Sequence, residues 1–201
     1  MGCSPGTIAC DDREKPAHQV EISRGFWVLE TPVTQEAYQR VMGLNPSHFK
    51  GSQRPVEKVS WEDASRFSQA VGMRLPTEAE WEYASRAGSG EVRYGELDEI
   101  AWHRDNSQKE THDVKGKQPN GWGLFDMLGN VEEWIADWFD ESYYSRSEVR
   151  DPAGPKNGIS RVVRGGSWNV IPARTRASLR KGSDPTSRLS DLGFRCVGEL
   201  S

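Results

Sequence analysis

The chain has 201 residues, with 26 Lys and Arg against 30 Asp and Glu and a formal net charge of -4. That balance leaves no basic footprint for a nucleic acid or an anionic membrane surface. Mean hydropathy is -0.76, and no apolar run approaches the roughly 18 residues of a spanning helix. The composition argues against membrane insertion and against collagen-like or coiled-coil architecture. Eight Trp and twenty Gly indicate a folded, loop-rich domain that buries large aromatic area.

The first 16 residues read as loop, and Met1-Gly2-Cys3-Ser4-Pro5 lacks the charged-then-apolar build of a signal peptide. Cys3, Cys10 and Cys196 are too few for a disulfide framework, and their spacing does not suggest zinc. Cys3 and Cys10 bracket a Ser-Pro-Gly turn, leaving open a small loop disulfide in an oxidising compartment or two free thiols near a frayed end. Val20 and Ile22 alternate with polar residues as a half-buried strand that runs into Phe26-Trp27-Val28-Leu29. Thr34 caps a helix reaching about Met42. Ser60 opens a second helix with Asp63 at its third position, and Ala64, Phe67 and Val71 form its buried stripe. Thr77 and Glu80 form a capping box for a third helix whose Trp81 and Ala84 face inward. Beyond residue 88, Gly, Pro, Asn and Asp leave room for only short strands, including Arg161-Val162-Val163-Arg164 and Leu192-Gly193-Phe194-Arg195. The sum is one α+β domain over 1–201 with two or three helices and small, mostly antiparallel sheets.

Several segments together resemble the formylglycine-generating enzyme (sulfatase-modifying factor) family. They are Arg74-Leu75-Pro76-Thr77-Glu78-Ala79-Glu80-Trp81-Glu82-Tyr83-Ala84, the run from Asn120 to Trp134, Arg164-Gly165-Gly166-Ser167-Trp168 and the ending Leu192-Gly193-Phe194-Arg195. They lie in family order across nearly the whole chain. The resemblance implies a C-type lectin-like fold of the formylglycine-generating enzyme type. Met1-Gly2 resembles the Met-Gly that ends the family's first strand, so the chain is expected either to lack that strand or to be a trimmed version of a longer protein.

Fold does not carry the reaction. The family's oxidase uses two copper-binding cysteines, placed two and seven residues after the aromatic of the Gly-Gly-Ser-aromatic motif. Val170 and Thr175 stand there, and a valine offers no thiolate to a soft metal. The resemblance therefore implies a non-enzymatic domain without copper. Iron-dependent sulfoxide synthases share the fold, but His18, His48, His103 and His112 show no spacing like theirs and read as surface or turn residues.

The resemblance also implies a structural calcium loop, formed by the side chains of Asp126 and Glu133 and the carbonyls of Gly129 and Val131. Calcium takes six to eight oxygens of these kinds. The alternative is a turn whose first acids favour a helix start. A second family calcium site would fall near Asn106 and Ser107, where the 107–113 loop departs from the family pattern.

The segment 164–196 resembles the variable region of proteins diversified by retroelements, which use the C-type lectin fold. Its framework positions, among them Arg164, Arg176, Arg180 and Arg188, fit turn and core needs. Between them lie Asn169, Val170, Ile171, Arg174, Leu179, Lys181, Gly182, Ser183, Asp184, Ser187, Leu189, Ser190 and Asp191, which mix residue types without helical or strand period. These are the expected ligand-contacting positions, and Val170, Ile171 and Leu179 are expected at the surface. The reading is a calcium-stabilised binding module that presents 169–191 to a protein or other surface ligand. The alternative is a formylglycine-generating-enzyme-like oxidoreductase, or an accessory domain, with unrecognised metal ligands.

Overall fold

In the computed structural model, which describes residues 1–4, 7 and 10–200, the capping residues set the helices where the sequence places them. Thr34 accepts the Ala37 N–H at the start of α1 (Gln35–Met42), and Gly43 closes it in a left-handed conformation. Ser60 and Asp63 exchange side-chain-to-backbone bonds at α2 (Trp61–Ala70), as Thr77 and Glu80 do at α3 (Glu78–Arg86). Each box satisfies two N–H groups that a helix start would otherwise orphan. A single turn, α4 (Leu97–Ile100), follows.

Two small sheets complete the fold. β1 (Phe26–Val28) pairs antiparallel with β6 (Val197–Glu199). The larger sheet runs in the order β4-β3-β2-β5, from β2 (Glu132–Trp138), β3 (Arg161–Arg164), β4 (Arg180–Ser183) and β5 (Leu192–Gly193). Its pairs are antiparallel except β2 with β5, and an irregularity between Trp134 and Trp138 shifts the β2–β3 register. The run 19–23, expected as a strand, keeps only a bridge between Glu21 and Arg150.

The larger sheet separates two cores. Trp134, Val163 and Leu192 pack with Phe67 and Ala64 of α2 and with Tyr38 of α1. On the other side Ile135 and Val162 pack with Trp81 and Ala84 of α3, and with Met127 and Leu128. Val71 is not part of the α2 stripe. It caps the helix and is 39% exposed.

Three buried arginines tie the loop-rich half to the helices. Arg164 pairs with Glu82 and Arg180 with Glu78. Arg176 pairs with Glu14 of the N-terminal segment. Each guanidinium has a carboxylate partner, which is what makes burial of the charge tolerable. Cys3 and Cys10 are joined as a disulfide and Cys196 is a buried free thiol.

Candidate functional site

The segment after Trp168 leaves the end of β3 and crosses the surface before returning as β4. Its course is fixed through its main chain. Arg104 donates from its backbone N–H to the Val170 carbonyl (3.0 Å) and from Nε to the Asn169 carbonyl (3.1 Å). Arg93 reaches the Thr175 carbonyl with Nε (2.7 Å) and the Pro172 carbonyl with Nη2 (2.5 Å). Arg176 donates to the Ala173 carbonyl (2.7 Å), and the Thr175 hydroxyl donates to the Ile171 carbonyl (3.3 Å). Arg164 then holds the carbonyls of Ala177, Ser178 and Leu179. Burial lowers the Arg93 pKa, helped by the nearby Arg176 charge and opposed by Glu96.

The side chains of the same stretch are left free. Those of Asn169 and Ile171 are exposed and make no hydrogen bond among the described residues. Arg174 makes one contact, 3.8 Å to Asp11. Val170 is half-buried and Thr175 fully buried. Ser183, Ser187, Leu189 and Ser190 are half-buried or exposed along the return of the chain. Asp184 accepts from the Thr186 N–H and hydroxyl, closing a turn.

Beside this loop lies Trp168. Its indole N–H donates to the Ser190 carbonyl (3.0 Å), and its ring meets Phe49 edge to face at 5.4 Å. The Phe49 N–H is held by Glu57, which burial pushes up to about 7. The Ser107 hydroxyl holds the Trp168 carbonyl (2.8 Å). Lys181 reaches the buried carboxylate of Glu132 at 2.5 Å, and Glu132 donates its N–H to the Asp191 carbonyl (2.8 Å). Burial raises Glu132 to about 7, with Lys181 opposing. At the far end of β3, Arg161 lies between the rings of Trp61 and Trp138, 3.7 and 3.5 Å from their centroids.

Two expected surface positions are corrected. Leu179 is only 8% exposed, in a run from Thr175 to Arg180 that is buried throughout. Gly182 is pressed against Phe139, where an added Cβ would come within 2.6 Å of the ring. Lys181 is also not free, since its ammonium neutralises Glu132. The expected surface thus narrows to 169–174 and 183–191 with the rim of Trp168. Among the histidines His103 is buried, bonded to Asp98 at 2.7 Å, and His112 stacks on Trp102 at 3.8 Å.

The calcium positions divide. Asp126 is buried and takes a left-handed φ of 53°. Its carboxylate accepts the Lys115 N–H (2.9 Å) and the Asn130 amide (3.2 Å), and it pairs with no cation among the described residues. Burial pushes its pKa above the usual carboxylate range. The carbonyls of Gly129 and Val131 accept no hydrogen bond among the described residues. Carboxylate and carbonyl oxygens are the donors calcium takes, although both Asp126 oxygens are already hydrogen-bonded. Glu133 does not fit in the same way, because Arg195 and the Trp81 indole N–H (2.7 Å) already engage both of its oxygens. No group of three or more His, Cys, Asp or Glu is placed to hold a metal among the described residues. Asn106 and Ser107, the second expected site, are engaged by His103, Asp98 and Trp168.

A sulfatase-modifying factor enzyme 1-like domain profile matches residues 2–200. The chain belongs to that family. The formylglycine-generating enzyme of Streptomyces coelicolor is 40% identical over 165 residues, covering 72% of this chain and 52% of that protein. Serine/threonine-protein kinase pkn1 of Chlamydia pneumoniae is 33% identical over 98% of this chain and 36% of its own length. The chain therefore spans about half, or less, of these relatives. Among solved structures, Treponema denticola variable protein 1 superposes with a TM-score of 0.91 at 32% identity, over 100% of this chain and 92% of that one. The Major Tropism Determinant U1 variant shares the fold, with a TM-score of 0.55 at 16% identity over 87% of this chain and 50% of its own. No helix is long and apolar enough to cross a membrane among the described residues.

Sequence reasoning missed Arg93, Arg104 and Glu14. All three act over more than 60 residues of chain separation, and no local pattern announces such partners.

Proposed function

We propose that this chain is a non-catalytic binding module that presents the side chains of 169–174 and 183–191 to a protein ligand, as a retroelement-diversified variable protein does. One observation carries the reading: the loop is clamped through its carbonyls by Arg93, Arg104 and Arg176, so its shape does not depend on its own exposed side chains. A preorganised backbone with exchangeable side chains is what a diversified contact surface requires. The likeness to a variable protein over the full chain supports it. The test is a display library randomised at Asn169, Val170, Ile171, Arg174, Ser187, Leu189 and Ser190. It should keep close to the parent's display level and yield binders to a model protein such as lysozyme. Collapse of display across the library would refute the reading.

A structural calcium ion belongs to the same proposal. Asp126 and the Gly129 and Val131 carbonyls would hold it, while Glu133 stays with Arg195. A desolvated carboxylate without a cation supports this.

The second reading, an oxidoreductase with other metal ligands, draws on the 40% identity to a formylglycine-generating enzyme. Tight copper uptake with oxygen consumption by the purified chain would favour it over the first.

A further inference from the structure

The fully buried arginines of this protein are all neutralised. Arg164, Arg176, Arg180 and Arg195 meet the carboxylates of Glu82, Glu14, Glu78 and Glu133. Arg161, half-buried at the start of β3, meets no carboxylate among the described residues. Its Nη1 donates to the Ala136 carbonyl (2.6 Å), and its Nε is buried without an acceptor. Nη2 has no acceptor among the described residues either, but it is open to solvent. Burial lowers the Arg161 pKa and the charge of Asp137 opposes it. Asp137 is itself pushed up to about 8, so it carries little negative charge at neutral pH.

Position, not charge pairing, holds this guanidinium. Trp61 and Trp138 cover its two faces, with ring centroids 3.7 and 3.5 Å from Cζ. At such distances the group lies flat against both rings. The rings are fixed in turn. The Trp61 indole N–H donates to the Ile135 carbonyl (2.8 Å), and Trp138 stands directly opposite Arg161 in the β2–β3 register. A cation stripped of water on both faces, with its rotamer set and Nη2 free, is ordered before any anion arrives. The flanking rings select a planar carboxylate, which lies in the plane of the guanidinium. A tetrahedral phosphate extends out of that plane towards the indoles.

The site adjoins the return of the variable segment. Arg161 pairs with Ser183 across β3 and β4, and the Trp61 N–H donates to the Pro185 carbonyl (2.9 Å). We infer that Arg161, between Trp61 and Trp138, is an anchoring site for the carboxylate of an Asp or Glu side chain on the protein ligand. This rests on the reading of 183–191 as contact surface, and it adds a constant element beside the exchangeable ones.

The test uses the 201-residue protein labelled with 15N and follows the Arg161 Nε–H and the Trp61 and Trp138 indole N–H signals. Sodium acetate should shift them saturably, with half-saturation at roughly 10–100 mM, as one charge-assisted contact gives. Sodium chloride at equal ionic strength should not. The peptide acetyl-Ala-Glu-Ala-amide should act like acetate, and acetyl-Ala-Gln-Ala-amide should have no effect. Arg161→Lys keeps the charge but loses the planar fork, so it should weaken acetate about fivefold or more, read at the indoles. An unchanged melt shows that the variant is folded, and the wild-type titrations decide the matter whatever its stability. Equal shifts with acetate and chloride overturn the site. Tighter binding of phosphate than of acetate overturns the choice of carboxylate, and acetate binding without peptide binding overturns the ligand side chain as its source. None of these titrations uses the loop 169–174, so a blank result leaves the library test of the binding surface standing.

Discussion

Replacing Arg93 with Met removes the clamp most remote in sequence from the loop it holds. The guanidinium donates to the carbonyls of Thr175 and Pro172 at 2.7 and 2.5 Å. A hydrogen bond from a charged donor contributes about 1.5–3 kcal/mol. Arg93 is half-buried, which reduces that figure, and its own desolvation opposes it. The net loss for the pair should be about 2 kcal/mol, confined to the loop. At about 1.4 kcal/mol per factor of ten, loop opening becomes roughly 30-fold more frequent. Native-state hydrogen exchange reads this at the amides of Arg174, Thr175 and Ala177, which donate to Ile171, Pro172 and Val92. Amides of β2 and β3 should keep their protection, because neither strand touches Arg93 through a hydrogen bond. Unchanged exchange at the three loop amides would refute the clamp, and a uniform rise over the whole chain would show that Arg93 serves global stability instead.

Three further outcomes follow from the same geometry. Simultaneous replacement of Val170, Ile171 and Arg174 by Ser should move Tm by no more than about 2 °C, whereas Leu179→Ala alone should cost about 2–5 kcal/mol, as for a buried leucine. At roughly 2–4 °C per kcal/mol for a domain of this size, thermal melts separate the two cases easily. Asp137 is buried beside Glu78 and pushed up to about 8 from the ordinary aspartate value, by burial first and by Glu78 second. The folded chain then binds this proton more tightly than the unfolded one, so stability should fall as pH rises from about 4 to 8 and level off above. In denaturant titrations Asp137→Asn should flatten that slope, and an identical slope in the variant would contradict the assignment. EDTA should lower Tm and added calcium restore it, and an Asp126→Asn variant should lose the response. A melt indifferent to both reagents would remove calcium from the account.

The parts of the fold legible in the sequence are those whose causes are local. Ser60 with Asp63 and Thr77 with Glu80 are capping boxes because their partners lie three residues away. The Arg164, Arg176 and Arg180 framework was also legible, through the family motif around it, but not the reason for it. Their carboxylates, Glu82, Glu14 and Glu78, sit on α3 and the N-terminal segment. Leu179 misled because its sequence neighbours are polar. Those polar neighbours, Ser178 and Arg180, are themselves buried in the ionic network, so the local pattern imitates a surface. The clamping of 169–176 was invisible for a different reason. It is made to carbonyl oxygens, which every residue carries, so no side-chain signal in the loop encodes it.

If 169–174 and 183–191 form a surface built to vary, the DNA around the gene tests it most directly. The account predicts a near-copy of the coding stretch for 164–196 beside a reverse transcriptase gene. The two copies should differ mainly where the near-copy has adenine, at codons for exposed or half-buried positions such as Ile171, Arg174 and Val170, and not at those for Arg164, Arg176 and Arg180. Several kilobases without such a repeat would contradict it and leave an ordinary member of the sulfatase-modifying factor family.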